Sequence, residues 1–76
     1  MDRLENLDRR FPGRGPAIRR QIREDPSFRE LCTDYEEAAA ALHYWLSPPH
    51  HSDHRAEDYR HLVSELAAAI EAALRD

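Results

Sequence analysis

Residues 25–53 read DPSFRELCTDYEEAAAALHYWLSPPHHSD, and this stretch decides the fold. Asp25-Pro26 is a helix start. Proline pushes the residue before it out of the α region, and Asp is a good N-cap. Phe28, Leu31, Tyr35, Ala38, Leu42 and Trp45 then recur at spacings of 3-4-3-4-3, a helical seam that Cys32, Ala39 and Leu46 widen. Ser47-Pro48-Pro49 ends it. Ser52 or Asp53 caps a second helix, whose stripe is Tyr59, Leu62, Val63, Leu66, Ile70, Ala73 and Leu74. Glu57 and Asp58 in its first turns and Arg75 in its last suit the helix macrodipole. The spacing thus predicts helices over 26–46 and 53–74. A connection this short makes antiparallel neighbours, each about 30 Å long.

Upstream, Pro16 opens a predicted helix over 16–24, with Ile18 and Ile22 one turn apart on one side. Pro12-Gly13-Arg14-Gly15-Pro16 interrupts any helix before it and holds both glycines of the chain. Residues 1–15 are predicted to be mobile or weakly helical. Leu4, Leu7 and Phe11 mark a short amphipathic helix over about Asp2 to Arg10. No segment alternates with period two over a strand's length. The expected fold class is all-α: an antiparallel helical hairpin with a short N-terminal helix, residues 16–76 forming the hairpin domain.

At 76 residues the chain is one domain, and a domain this small buries little of its surface. Two helices bury only the strip where they touch, yet Leu62 and Val63 are adjacent, as are Trp45 and Leu46, so both stripes exceed one seam. Two arrangements cover the surplus. The Ile18/Ile22 helix folds back over the hairpin, or two hairpins dimerise into a four-helix bundle. Both are expected to contribute, which makes a second copy the first predicted partner.

Cys32 is the only cysteine, so no disulfide framework is available, and a reducing cytoplasm suits the chain. The first residues lack the apolar run of a signal peptide, and no stretch approaches the roughly 20 apolar residues of a membrane span. All 11 basic residues are Arg, which together with abundant Ala reads as a GC-rich bacterial genome. The net charge of −4 argues against general polyanion binding. It is unevenly spread. Arg9, Arg10, Arg14, Arg19, Arg20 and Arg23 form a front without an acid, whereas Leu31 onward carries nine acids and three Arg.

Those six Arg are the first candidate contact. Arg pairs in bidentate fashion with carboxylates and phosphates, so an acidic protein surface, a nucleic acid or membrane headgroups fit them. Only Phe11 interleaves as an aromatic, which disfavours nucleic acid. The plainer reading pairs Arg19, Arg20 and Arg23 with acids of the hairpin. Tyr44 and Trp45, followed by Leu46, form a second candidate patch at one end of the hairpin. His50, His51 and His54, with Asp53, are candidate zinc, nickel or copper ligands. Their spacing matches no closed site, and the plainer reading is a solvated polar turn. Asp58-x-x-His61 and Glu57-x-x-x-His61 each occur once, too few for a di-carboxylate metal bundle within one chain. Glu36, Glu37, Glu57, Asp58 and Glu65 read as a solvated helical face. Cys32 lies about two turns into its helix with no His nearby in sequence, which suits packing better than nucleophilic chemistry. No nucleophile, acid/base pair or cofactor loop assembles, so no enzyme activity and no cofactor are expected.

The run Arg23-Glu24-Asp25-Pro26-Ser27-Phe28-Arg29-Glu30-Leu31-Cys32-Thr33-Asp34-Tyr35-Glu36-Glu37-Ala38 resembles the opening helix of small bacterial YdcH-like hairpin proteins. Glu57-Asp58-Tyr59-Arg60-His61-Leu62-Val63-Ser64-Glu65-Leu66 is similar to their second helix. The Pro-Pro-His-His turn, the absence of Lys and the Arg-rich front depart from that pattern. The resemblance implies a cytoplasmic helical hairpin that associates, and supplies no site residues. The expected function is therefore a non-enzymatic protein–protein interaction module, a homodimeric accessory or regulatory protein. Metal binding at the His-rich turn and nucleic-acid binding through the Arg front are the alternatives.

Overall fold

The Asp25 carboxylate accepts the backbone N–H of Phe28 at 3.1 Å, and Pro26 occupies the first helical turn. In the computed structural model, which describes residues 3–75, this cap starts the helix α3 (Pro26–Leu46). Ser52 caps α4 (Asp53–Ala73), its hydroxyl accepting the N–H of Arg55 at 3.3 Å. The Ser52 N–H donates back to the Trp45 carbonyl at 2.9 Å, closing the turn between the two helices. Upstream lie α1 (Glu5–Arg10) and α2 (Gly15–Glu24). The described residues are thus all helix and connection, and no helix among them is long and apolar enough to cross a membrane.

α4 packs along α3, and α1 and α2 both lie against α3. The result is elongated, 39 × 20 × 20 Å. Ile18 and Ile22 of α2 are buried in one cluster with Phe28, Cys32, Tyr35, Ala67 and Ile70. The expected fold-back of the Ile18/Ile22 helix is therefore present. The segment expected to be mobile or weakly helical supplies three further core side chains, Leu4, Leu7 and Phe11. The start of the helix expected from Asp2 lies outside the described residues.

Two polar side chains hold this packing together. Leu4 offers α1 no side-chain cap. Glu36, in the middle of α3, takes over that role. Its carboxylate accepts the N–H of Leu7 at 2.8 Å, the N–H of Asn6 at 3.4 Å and the Asn6 side-chain amide at 2.9 Å. Orphan amides at a helix start need such an acceptor, and negative charge is favoured there. Glu36 is thus half-buried and engaged rather than part of a solvated face. Gln21 is buried and joins α2 to the end of α4. Its side-chain amide donates to the Ala73 carbonyl at 2.8 Å, and its carbonyl accepts the Arg75 N–H at 2.8 Å. Gln21→Ala strips both partners of this part-buried pair of hydrogen bonds. An expected loss of about 1–3 kcal/mol follows. Urea denaturation measures it, and faster hydrogen exchange at the Arg75 amide identifies its origin.

The helix faces are rotated from the expected seams. In α3 the buried side chains are Phe28, Cys32, Tyr35, Ala38 and Ala39, while Leu31, Leu42 and Trp45 are only half-buried. In α4 they are Ala56, Ala67 and Ile70. Tyr59 and Leu62, expected to define the buried face of α4, lie half-buried and exposed respectively. The cause is the position of α1 and α2. They cover one side of the α3/α4 pair, which draws burial toward Cys32, Ala39 and Ile70 and leaves the other side open.

Both glycines have a steric reason. Gly13 sits at φ +81°, a left-handed conformation that glycine adopts without a Cβ clash. A Cβ on Gly15 would lie 2.8 Å from Arg19 Nη1 and 3.1 Å from Asp8 Oδ1. Its absence leaves room for the Arg19–Asp8 ion pair, whose side-chain ends a Cβ would displace.

Candidate functional site

The open side of the α3/α4 pair is a groove of about 340 Å³. Ala38 and Ala41 of α3 face Tyr59, Leu62 and Leu66 of α4 across it, with Asp34 and Glu37 on the rim. Alanines at 38 and 41 leave the groove deep because their side chains end at Cβ. Leu62 is 42% exposed, the most exposed large aliphatic side chain among the described residues. Arg55 and Asp58 border Tyr59 and Leu62 on the outer edge of α4.

The turn between α3 and α4 gathers the second candidate patch. Tyr44 stacks on His50 with ring centroids 4.4 Å apart and meets Trp45 edge-on at 4.9 Å. The Arg55 guanidinium lies over the Trp45 ring at 4.8 Å. Tyr44 and Trp45 therefore pack the turn onto both helix ends, with Tyr44 still about half exposed.

The three candidate metal ligands have separate partners. His50 is taken up by Tyr44, His51 Nε2 lies 2.6 Å from Asp53 Oδ1, and His54 Nε2 lies 3.8 Å from Asp58. His61 stands beside Glu57 at 3.4 Å. No group of three or more His, Cys, Asp or Glu among the described residues is placed to hold a metal ion. His51 Nδ1 also faces the Leu46 carbonyl at 3.3 Å. Two acceptors around one ring favour the form that donates from both nitrogens. The Asp53 bond first, then the Leu46 carbonyl, raises the His51 pKa above its ordinary 6.5. The charged form favours the folded turn below the unfolded-state pKa, and that contribution fades as pH rises through the folded one. NMR titration is expected to place the His51 midpoint above 6.5, and Asp53→Asn to lower it.

The Arg front is divided among different tasks. Arg19 makes a bidentate pair with Asp8 of α1, at 3.0 and 2.9 Å, which holds the Asp8 carboxyl below its ordinary range. This pair joins α2 to α1. Arg20 and Arg23 form no ion pair among the described residues. Arg14 precedes α2, its carbonyl accepting the Ile18 N–H at 3.0 Å. Arg9 bonds Asn6 Oδ1 at 3.4 Å, and the Arg10 guanidinium lies over Phe11 at 4.9 Å. Arg9 and Arg10 also border a cleft beside His43, Leu42 and Val63. That juxtaposition is absent from the local sequence, since it joins residues from three helices.

Cys32 is fully buried, and burial pushes its thiol up to about 11. Burial thus disfavours the thiolate, the form in which a cysteine reacts. The chain matches no family model, and neither a curated protein nor a solved structure matches it.

Proposed function

We propose that this chain is a non-catalytic helical protein–protein interaction module, an accessory or regulatory protein that pairs with a second copy through the open α3/α4 groove. The observation that carries the reading is Leu62. α1 and α2 cover one side of the α3/α4 pair, and Leu62 stands 42% exposed on the other, flanked by Tyr59 and Leu66. The groove lined by Ala38, Ala41, Tyr59, Leu62 and Leu66 offers a second copy an apolar contact with Asp34 and Glu37 beside it. The α4 edge carries both signs, Arg55 and Asp58, so a symmetric contact does not oppose like charges throughout. A helical hairpin that associates is also what the YdcH-like resemblance implies.

Sedimentation equilibrium at micromolar concentration tests it. The expected mass is that of two copies, with Leu62→Asp giving a monomer that keeps a cooperative thermal transition. A wild-type monomer with an intact cooperative transition overturns the proposal.

A further inference from the structure

On the side of the fold that carries α1, a cleft of about 280 Å³ opens between α1, α3 and α4. Ala39, Leu42 and Val63 form its apolar floor, and Arg9, Arg10 and Tyr35 its polar margin. The two guanidiniums have no carboxylate partner among the described residues: Arg9 meets an amide oxygen and Arg10 an aromatic ring. Glu36 of α3, whose charge also reaches Tyr35, has its carboxylate committed to the amides of Asn6 and Leu7.

Tyr35 supplies the second observation. The residue is only 4% exposed, yet its hydroxyl has no hydrogen-bond partner among the described residues. No fully buried side-chain polar atom there lacks a partner, so the hydroxyl must reach the cleft surface while the ring stays buried. Burial raises the Tyr35 pKa, and Arg10 and Arg9 are close enough to pull against that rise. One unpartnered hydroxyl donor and two unneutralised cations therefore converge over an apolar floor. Such a floor with a few convergent polar groups is how small-molecule sites are built, and this volume falls at their lower limit.

We propose that the cleft binds a small amphiphilic carboxylate, its head held by Arg9, Arg10 and the Tyr35 hydroxyl and its apolar body resting on Ala39, Leu42 and Val63. Arg forks match carboxylate geometry and give charge-assisted hydrogen bonds. This site is separate from the α3/α4 groove, so the mass of the protein in solution does not bear on it.

Octanoate is the probe, with octanol and acetate as its uncharged and headgroup-only counterparts. Titration followed by NMR is expected to show saturable octanoate binding with shifts at Tyr35, Leu42 and Val63, and weaker binding of both counterparts. The double variant Arg9→Gln/Arg10→Gln is expected to weaken octanoate by at least about tenfold. Tyr35→Phe keeps the buried ring and is expected to cost about threefold to tenfold. Circular dichroism verifies that both variants remain folded. Unchanged octanoate affinity in the folded double variant overturns the proposal. So do octanol binding as tight as octanoate, shifts confined to Tyr59, Leu62 and Leu66, or the absence of saturation.

Discussion

Phe28→Ala is expected to remove about 3–5 kcal/mol of unfolding free energy. Phe28 is the largest of the fully buried side chains, and it stands where α2 turns into α3. Its ring lies in the cluster shared with Ile18, Ile22 and Cys32, so truncation leaves a cavity where α2 packs on α3. A domain of this length has a total stability of roughly 4–11 kcal/mol, so the variant forfeits about a quarter or more of it. The melting temperature should fall by about 12 °C or more. Urea denaturation with an unchanged slope would assign the loss to the native core. A shift below 1 kcal/mol would mean that the core is not organised around this ring.

Leu7→Ala is expected to cost about 2–5 kcal/mol, and to do so in a single transition. Leu7 is completely buried although its helix is only six residues long. An isolated helix of that length has no stability of its own in water. α1 therefore persists because Leu4, Leu7 and Phe11 enter the common core and Glu36 caps its start. Were α1 an independent appendage, the substitution would leave the main unfolding transition where it was. Circular dichroism and the core aromatic signals followed together during melting separate the two outcomes.

The helix boundaries were legible because they rest on local chemistry. Asp25-Pro26, Ser47-Pro48-Pro49 and Ser52 act within four residues of themselves, and the structure caps α3 and α4 at those positions. The burial pattern was less so. Periodicity tells which face of a helix is apolar but not how many neighbours cover it. Tyr59 and Leu62 belong to a genuine stripe, yet α1 and α2 settle on the opposite side and leave them outside. Glu36 and Gln21 were illegible for a related reason. A Glu beside another Glu and a Gln among Arg look like solvent-facing residues. Their partners lie 29–30 and 52–54 positions away. The candidate sites show the same divide. Tyr44, Trp45 and His50 are near in sequence and near in space. Arg9 and Arg10 stood out only as members of a basic run, and the fold separates them from it by placing them next to Tyr35 and Leu42.

The Glu36 cap has a consequence for synthesis. α1 is synthesised before the acid that completes it has been added to the chain. Its helical state is therefore conditional on α3, and the beginning of the protein waits for its middle. A peptide ending at Glu24 is accordingly expected to leave the Asn6 and Leu7 amides open to hydrogen exchange, while the same amides are protected in the full chain. The order in which this protein is made and the order in which its parts become stable run in opposite directions at its first helix.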